Sequence, residues 1–196
     1  MSTTQDLSRV NGALSVNEFG FARIVNQSGD MIAALLRAMT DTSELSAREK
    51  TFAFENLAKQ LPKVDLRDVA SLENELVQFD LDIKYHSGGG VFTGELVIPK
   101  GTILVGKVHK YENLNVMTKG ELAVLVGDEI KRVKAPFVVV SPPGTKRIAY
   151  ALEDTVWMTF HATPLTDVDE VEKHFIAQTE QEYIEFCKML EAPKCG

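Results

Sequence analysis

Four histidines, at positions 86, 109, 161 and 174, are the residues of this chain best suited to ligate a metal ion or move a proton near neutral pH. Lys107 and His109 stand two apart in a run, 102–109, that reads as a strand, so alternation puts both side chains on one face. His161 closes a later strand-like run on the same face as Trp157 and Thr159. If both faces point into a common interior, His109 and His161 meet, with His86 or Asn113 near them. Other chemistries lack their parts. No G-x-S-x-G occurs, and both thiols, Cys187 and Cys195, fall near the C-terminal end, so neither a Ser-His-Asp nor a Cys-His set is in view. Gly88, Gly89 and Gly90 lack the strand-to-helix context and the Lys-Ser/Thr ending of a phosphate loop. His174, just before Phe175 in a helical run, reads as a surface residue.

The elements that would position these side chains follow from hydrophobic period. From residue 76 the period is two: Val77, Phe79, Leu81, Ile83 and Tyr85 alternate with Gln78, Asp80, Asp82 and Lys84. Further short runs, 91–98, 102–109, 114–118, 121–126, 137–140 and 155–161, are separated by turn residues such as Lys119-Gly120, Gly127-Asp128 and Pro142-Pro143-Gly144. Many short strands without intervening helices predict an antiparallel barrel or sandwich over 76–163. Residues 1–27 carry little periodicity, and 1–75 as a whole read as a helical N-terminal region. Met31, Ile32, Leu35, Leu36 and Met39 form one helical stripe, and Ser46 with Glu49 has the form of a capping box that opens a second helix, stopped by Pro62. Residues 164–196 read as a helical tail on the barrel: Asp167 and Glu170 suit a helix start, Val168, Val171 and Phe175 share a face, and Thr179 with Glu182 marks a restart. The fold class is therefore mostly β with flanking helices, an α+β chain.

Residues 101–151 carry a resemblance. The cupin superfamily has two short motifs, one running from a glycine through a His-x-His pair and a glutamate to a second glycine, the other from a glycine through Pro-x-Gly to a histidine and an asparagine. Gly101, Lys107, His109, Asn113 and Gly120 follow the first spacing, and Pro136, Pro142, Gly144, Arg147 and Ala151 the second. Gly106 to Lys110, Leu114 to Val116, Lys119 to Glu121, Ser141 to Arg147 and Asp154 to Trp157, with His161, more narrowly resemble small cupin-like proteins of bacteria and phages. The likeness spans about 80–176 and implies a jelly-roll-like β-barrel whose pocket is lined by Lys107, His109, Asn113 and Arg147, to which strand alternation adds His161. In metal-binding cupins those four motif positions are the metal ligands; here only His109 is an ordinary one, and Lys107 and Arg147 are cations. The resemblance thus implies no resident metal or other cofactor, with a displaced ion on His109 and His161 as the alternative.

Composition removes other classes. A net charge of −7 is against nucleic acid as a partner, and the short basic groups Lys131, Arg132, Lys134 and Lys146-Arg147 read as solvated strand faces or turns. No run approaches the ~20 apolar residues of a membrane span, and Met1 to Asp6 have no secretory character, which together predict a cytoplasmic protein with reduced thiols. Cupin barrels pair through sheet edges, so a homodimer is expected, with the N-terminal segment covering the interface. Three functions stay open on these residues. The first is a metal-free cupin that binds a small anionic molecule through Lys107 or Arg147, with Trp157 and Tyr150 as a stacking wall. The second is an enzyme, either a metal-dependent oxygenase on the displaced histidines or a metal-free isomerase or lyase with His109 as acid or base. The third is a structural or interaction module. The competing reading of the two cations is pairing with Glu95 or Asp154.

Overall fold

The computed structural model describes residues 21–24, 46–65, 67, 76–126 and 129–191. The elements are β1 (Phe21–Ile24), α1 (Ala47–Ala58), β2 (Leu76–Gln78), β3 (Ile83–Gly88), β4 (Val91–Ile98), β5 (Thr102–Val105), β6 (Val108–His109), β7 (Asn113–Lys119), β8 (Glu121–Val126), β9 (Glu129–Lys134), β10 (Phe137–Ser141), β11 (Ile148–Ala151), β12 (Thr155–Ala162), α2 (Val168–Phe175), β13 (Ile176–Ala177) and α3 (Glu180–Glu191).

The strands form two facing antiparallel sheets, ordered β2-β1-β5-β11-β8-β9 and β10-β7-β12-β4-β3, with β13 and β6 making a small third sheet. The pairings nest: β4 with β12, β5 with β11, β7 with β10 and β8 with β9. That nesting is one long hairpin rolled over on itself, so consecutive strands switch sheets and the inward residues of both sheets share one interior. It is the connectivity of a jelly roll. Gly120 and Gly144 hold two of its corners. Each has a positive φ, and a Cβ on Gly144 would lie 2.5 Å from the Tyr183 hydroxyl oxygen, while one on Gly120 would strike Thr155 and the Asp154 carbonyl. Both are motif glycines, and both positions exclude a side chain for steric reasons.

Three departures from the sequence expectation have physical causes. The alternating run 77–85 is split between sheets, β2 in one and β3 in the other, with Phe79 and Leu81 buried in the link. Period two reports which side faces the interior, and both sheets face the same interior, so the switch leaves no trace. β11 escaped notice because it is covered on both faces: Ala149 faces the barrel, while Ile148 and Tyr150 pack under α1 with Phe54 and Ala58. β9, outside the strand runs counted from sequence, is nearly all exposed and rich in Lys and Arg, the dress of an edge strand, so Lys131, Arg132 and Lys134 stand on the solvated strand face that was one of their two readings. In the region read as helical, β1 extends the first sheet, pairing with β5 and β2, and the C-terminal tail contains β13. The expected helix over 28–39 and the turn at Gly127-Asp128 lie outside the described residues.

The helices begin where caps were expected. Ser46 and Glu49 exchange hydrogen bonds at 2.8 and 3.3 Å, Asp167 accepts from the Glu170 N–H at 3.0 Å, and Thr179 accepts from the Glu182 N–H at 3.1 Å. α1 lies on the outside of the first sheet, where burial of Phe54 contributes about 1.5–3 kcal/mol. It is clamped there by polar contacts. Lys146, expected to be solvated, has a side chain only 3% exposed: its ammonium meets Glu55 at 2.8 Å, donates to the Gly106 carbonyl at 2.9 Å and lies over the Phe52 ring. Arg48 forks onto Glu180 at 2.6–2.8 Å and so ties α1 to α3. Among the described residues no helix is long and apolar enough to cross a membrane.

Candidate functional site

Strand register orders the inward side chains along the barrel. On β4 they run Ile98, Leu96, Gly94, Phe92; their partners on β12 run Thr155, Trp157, Thr159, His161; on β7 they run Met117, Asn115, Asn113. One end of the interior is therefore apolar and filled, with Ile98 and Met117 fully buried, while polar groups gather at the other. A cavity of about 410 Å³ takes in that polar end. Its walls are mostly apolar, among them Tyr85, Phe92, Leu96, Leu104, Phe137 and Trp157, and Val168, Val171 and Phe175 of α2 close one side.

Asn115 is the hub of the polar end. Its amide donates to Asn113 Oδ1 at 2.6 Å and to the Ser141 hydroxyl at 3.1 Å; its Oδ1 accepts from Thr159 at 2.8 Å and from the Trp157 indole at 3.3 Å. The Arg147 guanidinium donates to Ser141 Oγ at 2.8 Å, so a chain of side chains runs from the cation to the tryptophan. Partial burial lowers the Arg147 pKa from its ordinary value, and guanidinium remains the charged form all the same. Lys107 is neutralised: Glu172 of α2 accepts from its ammonium at 2.5 Å, which latches that helix over the cavity.

The two interior histidines stack, ring centroids 5.3 Å apart, and His161 also stacks on Phe175 at 4.3 Å. Nδ1 of each ring is buried without a hydrogen-bond partner. Burial first, then the nearby His161 and Lys107, push the His109 pKa down to about 3; burial, then His174, push that of His161 down to about 4. Both imidazoles are neutral at pH 7. An unpaired buried N–H is costlier than an unpaired lone pair, so the proton belongs on Nε2 and each ring is a donor there.

All five residues singled out from sequence, Lys107, His109, Asn113, Arg147 and His161, line this one cavity. The reason given for Lys107 was wrong in detail: it stands in the break between β5 and β6, not in a strand shared with His109. Its acidic partner is Glu172, not Glu95, and Asp154 accepts instead from the Lys100 N–H at 2.8 Å. His86 is on the outer side of the second sheet beside Glu95, at 3.3 Å, away from the cavity wall. Tyr150 points away from the cavity, into the cluster under α1, so only Trp157 of the expected stacking wall is there. His174 is exposed, against Tyr111. Asn115, Ser141 and Glu172 were missed. Asn115 had a signal, a second Asn at the same strand parity as Asn113; Glu172 had none, because its partner is 65 residues away.

The residues present do not fit a divalent transition metal. Besides the two imidazoles the polar end carries the Glu172 carboxylate, which the Lys107 ammonium already engages; among the described residues no group of three His, Cys, Asp or Glu converges, and Arg147 and Lys107 place positive charge beside the rings.

No protein-family model and no curated protein matches the chain. Solved structures do. An acetylacetone dioxygenase from Acinetobacter johnsonii is 18% identical with a TM-score of 0.36, covering 55% of this chain and 80% of that one. KdgF from Halomonas sp. is 17% identical with a TM-score of 0.37, covering 47% and 92%. An RmlC-like cupin family protein with a double-stranded β-helix fold, from Methanocaldococcus jannaschii, is 16% identical with a TM-score of 0.36, covering 43% and 81%. The nested strand pairing fixes the fold of this barrel independently of these likenesses: it is a jelly roll.

Proposed function

We propose that this protein is a metal-free cupin-fold binder that holds a small anionic molecule in the barrel cavity, with Arg147 as its anchor. One observation carries the reading. The buried lysines near the site each have a carboxylate: Lys107 has Glu172, Lys110 has Glu182 and Lys146 has Glu55. Arg147 faces the same cavity and pairs with no carboxylate among the described residues; a neutral hydroxyl, Ser141, takes one of its donors. An uncompensated cation in a low-dielectric site is unfavourable in the free protein, and an anionic ligand removes that cost. A guanidinium is also the donor geometry that carboxylates and phosphates match with two hydrogen bonds.

Acid–base catalysis by His109 is disfavoured, since a group with a pKa of about 3 is a poor base and is unprotonated at neutral pH. The test is calorimetric titration of chelator-treated protein with anions that raise its heat stability. Arg147→Ala weakens binding by about 1.5–3 kcal/mol, the scale of a hydrogen bond to a charged group. Unchanged affinity in that variant removes Arg147 as the anchor and with it the reading.

The homodimer expected from sequence has a face suited to it. Val138 and Val140 are 61% and 52% exposed on β10, and Leu114 is 41% exposed beside Val140 on β7. Val116, Met158 and Phe160 continue the same outer face of β7 and β12, as far as Glu95 of β4, which stands opposite Met158 at its border. A second copy is the occupant that fits, because an uncharged apolar face meets its own two-fold mate without like-charge contacts. Light scattering of the full chain and of Val138→Lys tests this: a dimer that becomes monomeric is expected, and a wild-type monomer at micromolar concentration rules it out.

A further inference from the structure

We infer that the ligand is an amphipathic monocarboxylate, with its carboxylate at Arg147 and an aromatic or branched aliphatic body along the apolar wall. This rests on the reading of the cavity as an anion site and adds what the rest of the cavity requires.

Charge comes first. At the polar end Lys107 and Glu172 cancel, both imidazoles are neutral, and Arg147 leaves one net positive charge. Lys131 is also at the wall, but it is exposed and faces Glu129 across 3.7 Å. A single uncompensated charge matches a monoanion; a dianion would bring a second, unbalanced charge into a largely apolar chamber.

Hydrogen-bonding capacity points the same way. Asn115 spends both amide donors and its carbonyl oxygen on Asn113, Ser141, Thr159 and Trp157, so the middle of the wall has few groups left to offer a ligand; the Ser141 hydroxyl, which accepts twice, keeps its own O–H beside Arg147. Donors remain at one place. Arg147 commits one of its five N–H groups to Ser141, and among the described residues Nδ1 of His109 and of His161 has no partner, which leaves the proton of each neutral ring on Nε2. Donors without competing acceptors suit an oxyanion rather than an ammonium or a sugar hydroxyl array.

Volume decides against a bare ion. A cavity of about 410 Å³ exceeds what acetate or phosphate fills, and the remainder is faced by Tyr85, Phe92, Leu96, Leu104, Phe137 and Trp157. Filling it with apolar groups releases water from apolar surface, which small ions cannot do. Gly94, opposite Thr159 on the neighbouring strand, keeps the wall open beside Tyr85: a Cβ there would lie 3.5 Å from that ring.

The experiment is calorimetric titration of the full chain, treated with chelator, using phenylacetate and octanoate, their amides phenylacetamide and octanamide, and acetate and inorganic phosphate. At least one of the two larger acids binds, its amide binds about tenfold or more weaker, and acetate and phosphate are weaker still. In Arg147→Gln the difference between acid and amide disappears while the amide retains its affinity. If acetate or phosphate binds as tightly as the larger acids, the amphipathic ligand is wrong and the anion site survives. If an amide binds as tightly as its acid, or if none of the anions binds, the anion reading falls and this inference with it.

Discussion

On β4, β12 and β7 the inward positions change from Ile98, Thr155 and Met117 at one end of the barrel to Phe92, His161 and Asn113 at the other. The backbone is the same antiparallel ladder throughout. At the first end the side chains close-pack with Val77, Phe79 and Leu122, and the Thr155 hydroxyl donates to the Glu153 carbonyl at 2.9 Å. At the second end a cation without a carboxylate among the described residues, two imidazoles with unpaired Nδ1 atoms and an asparagine hub surround an open cavity. On the proposed reading, stability resides in the end that is filled, and the anion site in the end where favourable packing was given up. A residue's consequence when changed should therefore depend on its level along the barrel more than on its degree of burial.

The largest expected effect is at the filled end. Met117→Ala removes a fully buried side chain and leaves a void, so urea unfolding should show a loss of about 2–5 kcal/mol, with anion affinity unchanged in the protein that remains folded. A loss of affinity at constant fold would blur the division between the ends.

Acid should act on the other end. His109 and His161 titrate at about 3 and about 4 when folded and near 6.5 when unfolded, so the unfolded state binds protons that the native state refuses. Stability from this source is complete above pH 6.5 and declines as pH falls toward 4. Between pH 7 and pH 5 the loss should be about 3–4 kcal/mol for the pair, at ~1.4 kcal/mol per pH unit for each ring. Urea unfolding at the two pH values measures it, and His109→Gln should reduce the dependence by about half. A flat profile would mean that the rings are not neutral and buried.

Smaller still is the latch between barrel and α2. Glu172→Gln leaves Lys107, whose side chain is 8% exposed, without its charge partner, and should cost about 1–3 kcal/mol. Because α2 forms part of the cavity wall, the same variant should also speed ligand release in stopped flow. Arg147→Gln completes the series with less than about 1 kcal/mol in stability, since a half-buried guanidinium loses one hydrogen bond and the buried Ser141 hydroxyl keeps that from Asn115. A large destabilisation there would make Arg147 a structural residue.

The contrast between the ends was partly legible in the sequence. Turn glycines and prolines, alternation from Val77 to Tyr85, and the spacing from Gly101 to Arg147 placed the barrel and, with His161 added from strand parity, five cavity-lining residues. What failed did so where one strand's pattern serves two surroundings. β11 is covered by both the barrel interior and α1, so Ile148 to Ala151 show no alternation. Lys146 and Arg147, adjacent and both basic, looked like one solvated patch; in the fold the first points under α1 to Glu55 and the second into the cavity. Pairings across long stretches of chain, Lys107 with Glu172 and Arg48 with Glu180, depend on how the C-terminal helices return to the barrel, and no local spacing encodes them.

The central claim is that the polar end works through Arg147 and neutral imidazoles, with no resident metal. Elemental analysis by mass spectrometry of protein purified without added metal and without chelator tests it most directly. The account predicts Fe, Mn, Ni, Cu and Zn each far below one atom per chain, and no change in that content in His161→Gln. A near-stoichiometric transition metal that is lost in His109→Gln or His161→Gln would contradict it.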